Sequence, residues 1–186
     1  DERREKRRAM GCILAQGERQ SKTVSIDEFI GSMGEWMGHQ VPRLLGRVAG
    51  TELDFGHDGL VYLLQPTRVV DRKRIDRDCV LIQALFTHAD FVRRFEESPE
   101  RRLLLHVSGP VPIEHQSVLL DVVEAFRELI ESLPESFADR VFLAFSVGTE
   151  EHAAMADLGL ERVYIHDIYK LADLVVFPSE TEGRGL

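Results

Sequence analysis

The stretch YKLADLVVFPSETEGRGL at residues 169–186 indicates how this chain folds. It contains the end of a predicted short helix, a strand at 174–177 that is apolar on successive residues, and a loop that opens with Pro178 and Ser179. Strands that are apolar on successive residues are typical of parallel sheets covered by helices on both faces. Loops at the carboxyl ends of such strands form the binding crevice. The final loop is therefore the first candidate for a binding site.

This loop carries groups that suit a phosphorylated, hydroxylated ligand. Gly183 and Gly185 let the backbone approach a ligand closely, and exposed amides there suit the oxygens of a sugar diphosphate. Glu182 supplies a carboxylate that accepts hydrogen bonds from hydroxyls. A polar turn that closes a strand has a similar composition, so the loop alone leaves both interpretations open.

Upstream of this loop, predicted strands and helices alternate. The strands are expected at 60–64, 103–107, 141–145 and 163–165, and the helices at 77–95 with a break near residue 87, 113–133, 150–158 and 167–171. Such alternation implies a parallel sheet wound with right-handed crossovers. We therefore expect an α/β, Rossmann-like domain over residues 60–186, with helices on both faces of the sheet.

Residues 1–59 are predicted to form a helical segment and a linker. The mixed charges of residues 1–10 indicate a solvated helix or a frayed end, and a basic tract for nuclear or membrane targeting is the alternative. The sequence SIDE at 25–28 has the form of a capping box and predicts an amphipathic helix to about residue 38. After it, Pro42 predicts a second short helix that carries Leu44, Leu45 and Val48.

Residues 49–59 are rich in glycine and acids, which is typical of a linker. Asp54, His57 and Asp58 within this stretch are the residues that a metal hypothesis would use. No other pattern in the sequence supports a metal site. We therefore expect none.

Composition excludes several classes of protein. The 186 residues carry a net charge of −9, which argues against a nucleic-acid-binding surface. No apolar run approaches the roughly 20 residues that a membrane-spanning helix needs, so we expect a cytoplasmic protein with at most peripheral membrane contact. Cys12 and Cys79 lie far apart, and we expect both to be reduced thiols. Nucleophile-elbow, Walker, GxGxxG and HExxH motifs do not occur, so hydrolase, NTPase, dehydrogenase and zincin interpretations lack support.

The loop after the first of the alternating strands is unusually basic. We call residues 66–77 the basic loop; its cations are Arg68, Arg72, Lys73, Arg74 and Arg77. A basic cluster between the carboxyl end of a parallel strand and the start of a helix is where a diphosphate is expected to bind. A solvated surface loop is the alternative.

Three motifs, in this order, resemble the C-terminal, donor-binding domain of retaining glycosyltransferases of the GT-B fold. In the basic loop, Arg68 and Lys73 match the family's arginine and lysine. In HVSGP, Gly109 matches a glycine that commonly ends the second strand. In the final loop, Glu182 matches the first of two glutamates, while the second falls beyond the last residue and Arg184 stands where relatives most often carry an aromatic residue.

The resemblance implies a role for each matched residue. Arg68 and Lys73 would grip the donor diphosphate and neutralise charge on the leaving nucleotide, which is a large catalytic contribution. Glu182 would bind hydroxyls of the transferred sugar. The remaining contacts to the nucleotide sugar are expected from Gly109, Tyr164, Ile165, Gly183, Arg184 and Gly185. For His166 and Asp167, an acid/base role and a helix-terminal aspartate beside a surface histidine both stay open.

The function implied by the resemblance is transfer of a sugar, with retention, from a nucleoside-diphosphate sugar to a hydroxyl acceptor. No bound metal or further cofactor is expected, because basic side chains and loop amides hold the diphosphate. The family's acceptor domain is not visible in this sequence, so we expect a fragment that binds its donor without turnover. The alternative is a non-catalytic nucleotide-sugar-binding or assembly module with the same fold. A second glutamate eight positions beyond Glu182 would favour the enzyme.

Overall fold

The computed structural model describes residues 2–14, 21–39, 43–146 and 165–180. The helices are α1 (Glu2–Leu14), α2 (Ile26–His39), α3 (Asp76–Leu85), α4 (Ala89–Glu97), α5 (Gln116–Ser132), α6 (Glu135–Ala138) and α7 (Ile165–Tyr169), with 3-10 turns at Asp71–Lys73 and Ile113–His115. The strands are β1 (Ser21–Lys22), β2 (Val24–Ser25), β3 (Arg43–Gly46), β4 (Glu52–Leu53), β5 (Leu60–Gln65), β6 (Arg102–Val107), β7 (Val141–Phe145) and β8 (Leu174–Val175).

The described strands form one main sheet of six strands in the order β2-β3-β7-β6-β5-β8, and β1 pairs antiparallel with β4. The pairs β5–β6, β6–β7 and β5–β8 are parallel, which confirms the prediction that these four strands are parallel neighbours. Among the described strands of the main sheet, β3 and β7 are the one antiparallel pair. The fold is therefore α/β with a mostly parallel sheet, as expected.

Helices cover both faces of this sheet because neighbouring residues of each strand point to opposite sides. One face packs under α2, α3 and α5 and buries Leu63, Leu105 and Leu143 of the central strands. The other face packs under α1 and α7 and buries residues such as Tyr62 and Leu104. Uninterrupted apolar strands are the sequence signal for such double-sided burial, so the prediction of two helix layers is confirmed.

The capping box at the start of α2 forms as predicted. The backbone N–H of Glu28 donates to Ser25 Oγ at 3.2 Å, and the backbone N–H of Ser25 donates to Glu28 Oε2 at 2.9 Å. These two bonds satisfy amide groups that the helix itself leaves without partners. The predicted helix at 77–95 also forms, and its break near Thr87 separates α3 from α4.

The prediction of a second short helix after Pro42 is wrong, because residues 43–46 form strand β3. Leu44 packs into the core on the α1 side, whereas Leu45 packs into the core on the α2 side. Val48, which the helix would have buried with them, is 51% exposed. Adjacent residues that are buried on opposite faces fit a strand, in which successive side chains alternate, whereas adjacent side chains of a helix lie only about 100° apart.

Residues before β5 also contribute more to the core than a solvated segment and a linker would. In α1 the side chains of Arg7, Ala9 and Met10 are buried. In the stretch expected to be a linker, Leu53 and Phe55 are buried as well. Strands β2 and β3, from the segment predicted to be a helical segment and a linker, thus lie in one sheet with β5, β6, β7 and β8.

The last described strand, β8, lies at an edge of the described sheet and pairs with β5. Leu174 and Phe177 are 47% and 48% exposed, so the prediction of a strand buried on both faces is wrong for this segment. The physical reason is its edge position, because side chains of an edge strand have neighbouring strands on one side only and are less enclosed than those of central strands. The predicted elements at 150–158 and 163–165 lie outside the described residues, apart from Ile165 at the start of α7. Among the described helices, none has the length and apolar character to cross a bilayer.

Candidate functional site

The candidate site lies where the carboxyl ends of the parallel strands meet. The chain runs through β5, β6 and β7 in one direction across the sheet, and β8 then pairs on the opposite side of β5. Between β5 and β8 the strand order therefore reverses. In open α/β sheets, ligands bind in the crevice outside the carboxyl ends of the strands at such a reversal. We call this place the β5–β8 crevice.

The basic loop at this crevice is anchored by a fully buried glutamine at the end of β5. The side-chain amide of Gln65 donates from Nε2 to Thr67 Oγ1 at 3.2 Å and to the carbonyl of Lys73 at 3.3 Å. The backbone carbonyl of Gln65 accepts from the backbone N–H groups of Thr67 and Ser108. Gln65 therefore holds the basic loop at Thr67 and Lys73 and also bonds to the segment that follows β6.

Gly109 lies directly against the backbone of this loop. A Cβ atom at position 109 would lie 2.1 Å from the carbonyl oxygen of Thr67 and 2.5 Å from the backbone nitrogen of Arg68. The neighbouring Pro110 carbonyl accepts a hydrogen bond from Val69 N–H at 3.1 Å. Only glycine fits this contact without a backbone shift. The structure thus brings together two predicted site residues, Gly109 and Arg68.

The cations of the basic loop fall into two groups. Arg74 pairs with Asp76 at 2.7 Å and with Glu180 at 2.5 Å, and Arg77 pairs with the same Glu180 at 3.1 Å. These carboxylates raise the pKa of Arg74, and the Arg74 guanidinium lowers the pKa of Asp76.

The second group comprises Arg68 and Arg72, whose side chains are exposed. Within the described residues, no carboxylate pairs with either guanidinium, whereas the half-buried Lys73 has contacts of its own. Positive charge available to a ligand is therefore concentrated at Arg68 and Arg72. Of these two arginines, only Arg68 matches the arginine of the glycosyltransferase motif.

The segment after β8 closes the other side of the crevice. The backbone N–H of Val176 donates to the Leu64 carbonyl at 2.9 Å, and that of Glu180 donates to the Arg72 carbonyl at 3.1 Å. The chain therefore passes from the edge of the sheet onto the basic loop. Several predicted site residues lie outside the described residues, namely Tyr164, Glu182, Gly183, Arg184 and Gly185. The side chain of Ile165 lies outside them as well.

At the start of α7, His166 is exposed and Asp167 is in the first turn, with 3.5 Å between His166 Nε2 and Asp167 Oδ1. This arrangement is the one expected for a helix-terminal aspartate beside a surface histidine. The His166 side chain is 68% exposed, whereas that of Asp167 is 12% exposed.

A buried chain of polar side chains, which was not predicted from the sequence, crosses the three central strands. Tyr62 Oη lies 2.6 Å from His106 Nδ1, and His106 Nε2 lies 2.7 Å from Ser146 Oγ. Burial lowers the pKa of His106 from 6.5 to about 3 and raises the pKa of Tyr62. The ring is therefore neutral at pH 7, with one nitrogen donating and the other accepting. A histidine inside the apolar run LLLHV was the available signal.

Asp78, in the first turn of α3, is a second buried group that sequence reasoning missed. Its side chain is 1% exposed, and its Oδ2 has no hydrogen-bond partner among the described residues. Burial, with a smaller effect of the nearby Asp76 charge, raises its pKa from 3.8 to about 8. The carboxyl group is therefore largely protonated at neutral pH.

A cavity of about 430 Å³ separates the basic loop from α5. Its charged lining is mostly acidic, with Asp71, Asp76, Asp121, Glu124 and Glu128 against Arg74. These acidic side chains disfavour phosphate inside the cavity, so we place the candidate anion site in the β5–β8 crevice, where Arg74 directs Nη1 towards Glu180.

Within the described residues, no three histidine, cysteine, aspartate or glutamate side chains are grouped in a way that would hold a metal ion. The three residues that a metal hypothesis would use contact neighbouring loop residues or helix α1. Asp54 Oδ1 accepts from the N–H of Gly56, and His57 Nδ1 accepts from the N–H of Gly59. Asp58 pairs with Arg4 of α1.

Comparisons of the chain with models of protein families, with curated proteins and with solved structures gave no match.

Proposed function

We propose that this chain is the donor-binding unit of a cytoplasmic, retaining glycosyltransferase and that it binds a nucleoside-diphosphate sugar in the β5–β8 crevice. The observation that carries the proposal is the position of Arg68. Its exposed guanidinium extends from a loop that Gly109 touches and Gln65 anchors, at the reversal of strand order. Fixed positive charge at this point of an α/β sheet suits a diphosphate.

Each group would have a distinct task in the transfer. Arg68 and Lys73 bind the diphosphate and neutralise the charge that develops on the leaving nucleotide. Glu182 accepts hydrogen bonds from hydroxyls of the sugar, and the amides of Gly183 and Gly185 face the phosphate oxygens. The anomeric carbon then passes from the diphosphate oxygen to a hydroxyl of the acceptor, whose proton leaves to solvent or to the departing phosphate.

The test is a calorimetric titration of the chain with nucleoside diphosphates of different bases and with their sugar conjugates. Arg68→Ala should weaken binding of the best ligand by about 1.5 to 3 kcal/mol, as expected when a charge-assisted hydrogen bond is lost. Arg93→Ala is the matched control, because Arg93 is an exposed arginine on α4, away from the crevice. Equal losses in both variants, or none in Arg68→Ala, would contradict the assignment.

A further inference from the structure

Glu180 bridges the two sides of the β5–β8 crevice. Its carboxylate oxygen Oε1 accepts from Arg74 Nη1 at 2.5 Å and from Arg77 Nη2 at 3.1 Å. Glu180 follows β8, whereas both arginines follow β5. The same oxygen thus receives two guanidinium groups from the opposite loop, which is the arrangement that two arginines adopt around a phosphate oxygen.

Arg74 is oriented for an anion even without Glu180. Asp76 holds one edge of the Arg74 guanidinium through Nε at 3.0 Å and Nη2 at 2.7 Å, which leaves Nη1 for Glu180. Arg77 contacts no other carboxylate among the described residues. The backbone N–H of Glu180 is bonded to the Arg72 carbonyl, so the carboxylate can swing away while the loop stays in place.

The bridge is also open to solvent. The side chains of Arg74, Arg77 and Glu180 are 29%, 47% and 49% exposed. Exposed ion pairs contribute little to stability, because water screens them and two side chains must be held still. A ligand phosphate with more charge and more acceptor oxygens competes well for the same donors.

We propose that Arg74 and Arg77 form a second phosphate-binding subsite and that Glu180 occupies it as an internal competitor until a phosphate displaces its carboxylate. The ligand class is a phosphate or diphosphate group. This subsite rests on the proposed function, since it needs the anionic part of the ligand to reach the crevice. Arg68 and Arg72 would receive the ligand first, and the Glu180 bridge would then open.

Inorganic pyrophosphate is the probe, and its dissociation constant is measured by calorimetry for the wild-type chain and for Glu180→Gln. Glutamine keeps the size of the side chain and removes the charge that competes with the ligand. We expect Glu180→Gln to bind pyrophosphate about three- to tenfold more tightly, as expected when exposed ion pairs no longer compete. Glu135→Gln is the control, because it removes the same charge from another exposed arginine pair, with Arg47.

A double variant tests whether Arg77 is the donor that the Glu180 substitution releases. Arg77→Gln combined with Glu180→Gln should lose most of the gain, because the released donor is then absent. Pyrophosphate binding that is unchanged or weaker in Glu180→Gln, with wild-type binding intact, would overturn the subsite and leave the proposed function standing. The same gain in Glu135→Gln, or a gain that survives Arg77→Gln, would also overturn it. No binding by any of these proteins would overturn the proposed function as well.

Discussion

Replacing His106 by glutamine removes the titratable group from the buried chain of Tyr62, His106 and Ser146. The folded pKa of His106, about 3, lies below its ordinary value of 6.5, so protonation favours the unfolded chain. The stabilisation is complete above pH 6.5 and is lost as the pH falls towards 3. Linkage with these two values gives a loss of about 2 kcal/mol in the free energy of unfolding between pH 7 and pH 5.

The contribution of Asp78 to stability has the opposite pH dependence. It must cancel when the wild-type chain is compared with His106→Gln. Its folded pKa of about 8 lies above its ordinary value of 3.8, so its contribution is present below pH 3.8 and is lost as the pH rises through 8. Both proteins retain Asp78. Its contribution therefore cancels in the difference between the wild-type chain and His106→Gln.

Urea unfolding at pH 5, 6 and 7 measures this difference. His106→Gln should be the less stable protein at pH 7, because glutamine cannot place donors and acceptors as the imidazole does. The stability gap should then shrink by about 2 kcal/mol at pH 5, since only the wild-type chain loses the histidine contribution. A gap that does not change with pH would refute the assignment of a neutral, buried His106.

Three further predictions concern the fold and the crevice. Ser25→Ala should lower the free energy of unfolding by about 1 kcal/mol, because the capping box of α2 is lost; urea denaturation checks this, and an unchanged midpoint would contradict it. Gly109→Ala should cost about 1 to 3 kcal/mol of stability through overpacking against Thr67 and should weaken nucleoside-diphosphate binding by moving Arg68; thermal melts and calorimetry showing neither effect would contradict the close contact. Glu182→Gln should weaken binding of the nucleotide sugar by about 1.5 to 3 kcal/mol and leave the free nucleotide unaffected; calorimetry showing unaltered affinity for both ligands would mean that Glu182 is a surface turn residue.

The sequence predicted the part of the fold that local pattern determines. Residues 60–64, 103–105 and 141–145 are apolar without interruption, and such runs between helices are typical of a parallel sheet. The sequence did not predict β3, because a four-residue strand holds too few residues to show a period. Its assignment depends on pairing with β7, which is a tertiary contact.

The sequence did not indicate which charged side chains are buried or which of them pair with each other. The basic residues of α1 were expected in solvent, yet Arg7 donates to the Leu171 carbonyl at 2.9 Å and pairs with Asp173. Likewise, Glu180 lies more than 100 residues from the arginines that it bridges. Such partners are set by the packing of distant segments, so no local pattern indicates them.

For the candidate site, the sequence placed Arg68 and Gly109 correctly at the ends of neighbouring parallel strands. Parallel strands of one sheet bring their carboxyl ends to a common edge, so this proximity follows from the predicted topology. The sequence did not separate Arg68 and Arg72, which are exposed, from Arg74 and Arg77, which are paired with carboxylates. Spacing alone does not show which cations of a basic loop already have partners.

The most direct test of the central claim is to map the backbone amides that respond to a nucleoside diphosphate by NMR. We predict the largest chemical-shift changes at the amides of Arg68, Arg72 and Gly109, at the carboxyl ends of β5 and β6. The amides of Gly59 and Arg101, before the amino ends of these two strands, are the internal control and should not respond. Shifts confined to that opposite edge of the sheet, or no shifts with any nucleoside diphosphate, would contradict donor binding in the β5–β8 crevice.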